Sequence, residues 1–189
     1  MTQLLVFCGS SRTESFNLKL AGQLASIAEQ QGAEVSLINL IDFDIPIYNG
    51  DLEDAKGLPR DAKRLKTLLR ENTGLVIACP EYNGFMTPLL VNTIDWCTRS
   101  EDSSVDLSGF ADKTVLIASA SPGPGGGSRA NTHLRTMLSG IGAIVFPQTL
   151  TVPSAFNAFD DRGEFLDDSM KKRAQRLMEK FIQFTNRFE

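Results

Sequence analysis

Residues 6–20 read VFCGSSRTESFNLKL. A short apolar run ends at Gly9, mostly polar residues follow with only Arg12 and Glu14 charged, and a helical pattern starts with Phe16, Leu18 and Leu20. Strand, turn and helix in that order form the first half of a βαβ unit. Gly9 lets the chain turn tightly without a Cβ, and Ser15 or a neighbour can cap the helix. The start of a helix exposes unpaired N–H groups and the positive end of its dipole. Ser10, Ser11, Thr13 and Ser15 add hydroxyls, Arg12 a guanidinium and Asn17 an amide. That set makes a phosphate cradle. A plain helix cap on a solvated loop uses the same residue types, so both readings stand on this stretch alone. The Gly-Lys-Ser/Thr ending of a Walker loop and the G-x-G-x-x-G spacing are both missing.

The rest of the chain repeats the alternation. Apolar runs at 4–8, 34–40, 74–80, 113–121 and 143–152 are separated by helical patterns at 17–31, 61–71, 88–99 and 129–139, with a last helix at 168–188. Continuous apolar strands between helices predict a parallel sheet covered on both faces, and right-handed crossovers make it a doubly wound α/β fold of one domain, 1–189. Pro147 weakens the fifth run as a strand, because proline donates nothing to a ladder. In such a sheet ligands sit beyond the carboxyl ends of the strands, near the switch in strand order.

Two further loops at those ends are chemically unusual. After the third run stands CPEYNGFMTPLLVNTIDW, residues 79–96. Thr87-Pro88 reads as a cap followed by a first-turn proline, and Pro80 with Asn83-Gly84 fixes a turn that carries Glu81 and Tyr82. Such a turn offers a row of backbone groups beside an aromatic ring, suited to the polar edge of a flat heterocycle; a rigid turn with Tyr82 in the core is the other reading. After the fourth run stands SASPGPGGGSRANTHLR, residues 119–135. Gly123 and Gly125 begin a dinucleotide fingerprint that Ser128 breaks, and the next acid downstream is Asp160, too far on for the ribose partner. The loop is either a second wall of the same site or a flexible connection.

Composition excludes other classes. Nineteen Lys and Arg against 23 Asp and Glu give a net charge of -4, which leaves no cationic field for a nucleic-acid backbone. No run approaches the ~18 apolar residues of a membrane span, and the N-terminus lacks a signal-peptide pattern, so the cytoplasm is the expected compartment. Cys8, Cys79 and Cys97 lack metal-ligand spacing, and His133 is the one histidine. No metal site is expected, and the thiols read as buried, with Cys8 and Cys79 as possible neighbours.

Gly9-Ser10-Ser11-Arg12-Thr13-Glu14-Ser15-Phe16-Asn17, then Pro80-Glu81-Tyr82-Asn83-Gly84, then Pro88 and Asn92-Thr93-Ile94-Asp95-Trp96 together resemble the NAD(P)H-dependent FMN reductase family of flavodoxin-like proteins. The similarity spans nearly the whole chain. It implies a five-stranded sheet of order 2-1-3-4-5, bound FMN, NADPH or NADH as hydride donor, and a small acceptor such as a quinone, chromate, an azo dye or free flavin. By resemblance, Ser10, Arg12, Ser15, the Phe16 amide and Asn17 hold the phosphate. Pro80, Glu81, Tyr82, Asn83 and Gly84 surround the ribityl chain and ring edge, and Ser121 and Gly123 form the third loop. No side chain is required as a catalyst, because the flavin carries the chemistry; His133 is expected in a structural or subunit-contact role. The family further implies a homodimer or homotetramer, for which Trp96, Arg99, Phe156 and Phe159 are the expected contact residues. A flavodoxin-type carrier or a non-catalytic flavin sensor would share the fold.

Overall fold

A computed structural model describes residues 1–188; Glu189, the last residue of the expected 1–189 domain, lies outside the described residues. In chain order the elements are β1 (Gln3–Cys8), α1 (Phe16–Gln30), β2 (Glu34–Asn39), α2 (Gly50–Lys56), α3 (Arg60–Glu71), β3 (Gly74–Ala78), β4 (Glu81–Tyr82) and β5 (Phe85–Met86). There follow α4 (Pro88–Cys97), β6 (Thr114–Ala120), α5 (Ser128–Gly140), β7 (Ile144–Val145), β8 (Leu150–Val152) and α6 (Asp168–Thr185).

The main sheet runs β2-β1-β3-β6-β7, all parallel, with β8 also on β6. Counting β7 and β8 as one interrupted strand, this is the expected 2-1-3-4-5 order. The central strands β3 and β6 are buried at every position, as strands covered on both faces must be, whereas β2 at the edge is only partly covered. Side chains alternate across the pleat. Leu4, Val6 and Cys8 join a core with Leu20, Leu24 and Ala28 of α1 and Met178 and Phe181 of α6. Leu5 and Phe7 join the other, with Leu65 and Leu69 of α3, Leu90 and Ile94 of α4, and Leu134 and Leu138 of α5. Cys79 belongs to this second core, so Cys8 and Cys79 lie on opposite faces of the sheet and both stay free thiols.

The fifth strand differs from expectation. Pro147 splits it, and Ile144 and Val145 pair with Thr114 and Val115 while Leu150 to Val152 pair further along with Ala118 to Ala120. Arg135 of α5 donates to the carbonyl oxygen of Phe146 at 2.8 Å, satisfying a group that the broken ladder leaves over. The short α2 carries a cap signal that periodicity misses. The Asn49 Oδ1 accepts from the N–H of Asp51 at 2.8 Å, and Gly57 closes the helix with φ 69°.

Candidate active site

Three loops meet at the carboxyl ends of β1, β3 and β6 and enclose a cleft of about 380 Å³, within the range of small-molecule sites. Ser10, Arg12, Ser15, Phe16, Asn17, Pro80, Glu81, Tyr82 and Ser121 all line it.

Gly9 is needed for a reason other than turning. A Cβ there would stand 2.9 Å from Leu90 Cβ and 3.2 Å from Pro80 Cδ, so the glycine lets the first loop press against α4. The Thr87 hydroxyl, which caps α4, also donates to the Gly9 carbonyl and ties the first and second loops together. Beyond Gly9 the Ser10 Oγ accepts from the Arg12 N–H at 3.2 Å, and the Ser15 Oγ caps α1 by accepting from Leu18 N–H at 3.3 Å. The Ser10 hydroxyl keeps a proton to donate, and the Ser15 hydroxyl also meets the Cys8 sulfur. The Asn17 amide is engaged: it donates to the Ala120 carbonyl and accepts from the Ala120 N–H, each at 2.8 Å, locking α1 to the end of β6. Asn17 therefore faces a ligand with its backbone N–H. Among the described residues the N–H groups of Phe16 and Asn17 have no partner, and the exposed Arg12 guanidinium has no ion pair. The first loop thus ends in a set of donors aimed at nothing in the chain.

The second loop is a two-residue β-hairpin. Glu81 pairs with Met86 and Tyr82 with Phe85, and the turn residues Asn83 and Gly84 take φ 54° and 81°, both left-handed, as an Asn-Gly hairpin turn requires. Tyr82 is about half exposed, so the reading of it as core fails. Asn83 and Gly84 sit at the hairpin tip, outside the residues that line the cleft, with Gly84 beside the Arg129 side chain. The Glu81 carboxylate points away from a ligand role. It accepts from the N–H groups of Arg129 at 3.2 Å and Ala130 at 3.3 Å, and from the Arg129 guanidinium at 2.7 Å. Gly127, which precedes α5, has no side chain to cap it, so Glu81 supplies the cap from the hairpin.

The third loop is tied down. Gly126 and Gly127 have φ 59° and 88°, and a Cβ on Gly127 would stand 2.8 Å from Ser119 Cβ. The Ser119 hydroxyl donates to the Gly126 carbonyl at 2.6 Å and accepts from the Asn131 amide at 2.8 Å. Gly127 serves close packing against β6, and Gly126 close packing against Val152 of β8 and Pro153. Ser121 reaches the cleft and Gly123 does not.

Sequence reasoning left five wall residues outside its site, Glu14, Lys19, Ala120, Pro122 and Phe156. Phe156 was expected at a subunit contact; its ring stands edge-on to Phe16 at 5.2 Å and lines the chain's own cleft. Trp96 and Phe159, expected with it, are buried, Trp96 donating to the Pro46 carbonyl and Phe159 stacking on Phe165. Arg99 is committed to the buried Glu53. His133 packs its ring on Phe85 at 4.7 Å and does not line the cleft. Burial raises the Cys8 thiol to about 11 and that of Cys79 to about 12, so both stay protonated at neutral pH and neither serves as a nucleophile.

Known proteins of one kind resemble this chain. A quinone reductase of Escherichia coli is 37% identical over 143 residues, covering 76% of this chain and 72% of its own. An NAD(P)H-dependent FMN reductase of Pseudomonas aeruginosa is 33% identical over 179 residues, covering 94% and 91%. The solved structure of the flavoenzyme NAD(P)H:acceptor oxidoreductase FerB from Paracoccus denitrificans superposes with a TM-score of 0.80 at 26% identity, over 99% of this chain and 98% of that one. Residues 2–157, which contain all three cleft loops and Phe156, match the model of one family, and the chain belongs to it: the NADPH-dependent FMN reductases.

Proposed function

We propose that the cleft is an FMN site at which NADH or NADPH and a small acceptor, a quinone first among them, react in turn. The unpartnered N–H groups of Phe16 and Asn17 beside the unpaired Arg12 carry this reading, because a helix start left open toward a cleft suits a phosphate. The hydroxyls of Ser10 and Ser15 complete the cradle. Pro80, Glu81 and Tyr82 offer a wall for the ribityl chain and ring edge, and Ser121 faces them from the third loop. FMN, when bound, accepts a hydride from the nicotinamide and returns two electrons to the acceptor. The chain's part is to orient that group. Glu81 holds the hairpin on α5, Asn17 holds the phosphate loop on β6, and Thr87 joins the two loops.

Single-domain organisation over 1–189 is supported by two cores that pack against one sheet. A homodimer or homotetramer in the cytoplasm remains the proposed state. Among the described residues no helix is long and apolar enough to cross a membrane. With Trp96 and Phe159 buried, exposed apolar residues such as Ile47 are the better candidates for a subunit contact.

The test is anaerobic. NADH or NADPH alone should bleach the visible absorbance of the FMN-loaded protein, and added quinone should restore it. Failure of both nicotinamides to bleach the bound flavin would replace the enzyme with a carrier or sensor.

A further inference from the structure

The cleft holds more recognition chemistry than FMN requires. Phe156 is 74% exposed, yet it is mounted rigidly. Ser154 precedes it at φ 50° and ψ 43°, a left-handed conformation that a serine keeps only where its surroundings hold it there. Ala155 is fully buried and donates its N–H to the Ser121 carbonyl at 3.1 Å, which fixes the segment to the third loop of the site. Phe16 and Phe156 meet edge to face at 5.2 Å, and most of the Phe156 ring stays exposed where it lines the cleft.

On the same wall stands a cation without an assigned task. Lys19 lines the cleft, and among the described residues its Nζ donates to the Asp160 carbonyl at 3.2 Å and pairs with no carboxylate. Of the two carboxylates on the cleft wall, Glu81 is already bound to Arg129, leaving Glu14. An exposed aromatic ring on the same wall as an unneutralised cation matches a purine ring joined to phosphates: the ring stacks and the cation meets the charge.

We infer that Phe156 and Lys19 form the subsite for the adenosine diphosphate half of the nicotinamide donor. This rests on the flavin reading above. With the FMN phosphate at the start of α1, the Phe16–Phe156 contact sets this subsite at the phosphate end of the cleft. A dinucleotide whose nicotinamide lies on the flavin ring extends along the cleft toward it.

The test compares NADH with reduced nicotinamide riboside, which lacks the adenosine diphosphate, as donors to the FMN-loaded protein. In Phe156→Ala the ratio of kcat/KM for NADH to that for the riboside should fall on the order of fivefold or more, through KM for NADH. Phe156→Leu, which keeps volume without a π face, should fall as well, and Phe156→Tyr should keep the wild-type ratio. A ratio that stays at the wild-type value overturns the inference. Equal losses with both donors would assign the ring to the flavin or the acceptor, and altered sedimentation with an unmoved ratio would assign it to a subunit contact. A titration of the wild-type protein with FMN tests the underlying reading separately, since no binding there would remove the flavin site itself.

Discussion

Two polar clusters in this molecule use the same side-chain chemistry for opposite ends. Around the C-terminal end of α4, Glu53 is 1% exposed and receives Arg99 Nε at 2.9 and 3.1 Å and the Tyr48 hydroxyl at 2.8 Å. Lys66, 3% exposed, reaches Asp106 at 2.9 Å and the Arg99 carbonyl, and Arg70 also binds Asp106. Each of these charges has a partner in the chain. Around the start of α1, the Arg12 guanidinium and the N–H groups of Phe16 and Asn17 have none among the described residues. A closed network of buried charges holds architecture, because removing one partner strands the other away from water. An open set of donors at the edge of a cleft holds nothing until a ligand arrives.

Breaking the closed cluster should have the largest effect. Arg99→Met leaves the Glu53 carboxylate buried with only the Tyr48 hydroxyl and should lower stability by about 3–5 kcal/mol in urea unfolding. FMN affinity of the folded protein should move by less than about twofold, as expected for a distant site. A large loss of flavin affinity would mean the two clusters are coupled.

Breaking the open cluster should do the reverse. Arg12→Ala removes charge-assisted bonds to a phosphate, so FMN affinity should fall by about 1.5–3 kcal/mol while unfolding midpoints stay close to wild type. Riboflavin, lacking the phosphate, should be affected much less. Equal weakening of both ligands in a titration would remove Arg12 from the phosphate site.

Glu81 lies between the two cases, since it is part of the cleft wall but closed onto α5. Glu81→Gln should lower stability by about 1 kcal/mol, the usual value of a helix cap. Amide hydrogen exchange at Arg129 and Ala130 should speed up; unchanged exchange there would show that the cap is not made in solution.

The smallest effect is on pH. Bonds from Ser108 and Lys66 hold the Asp106 carboxyl well below the ordinary carboxylate value of about 4. A group with a depressed folded pKa adds stability above its unfolded pKa and loses it as pH falls through the folded value. Asp106→Asn should therefore flatten the acid limb of the stability profile below about pH 4. An unchanged slope would mean that other carboxylates set it.

Much of this was legible in the sequence. Apolar runs separated by helical patterns marked the parallel sheet, since a strand covered on both faces must be apolar throughout, and its order followed from the family resemblance. Ser10, Arg12, Ser15 and Tyr82 were found because their loops follow strands. The misses share one cause: a side chain's partner is set by tertiary contact. Nothing local tells that Asn17 reaches Ala120, 103 residues on, or that Glu81 caps a helix 48 residues away. Phe156 looked like interface because its segment has no period, and only the Phe16 contact places it on the cleft. The third loop read as a near nucleotide fingerprint because close packing, here of Gly126 on β8 and of Gly127 on β6, and close approach to a ligand call for the same residue.

The central claim is that the open start of α1 is where the phosphate of FMN sits. Amide hydrogen exchange measured with FMN and with riboflavin tests it most directly. FMN should slow exchange at the amides of Phe16 and Asn17 while riboflavin leaves them at the rate of the free protein. Equal protection by both ligands, or protection by FMN that falls elsewhere and spares these two amides, would contradict the account.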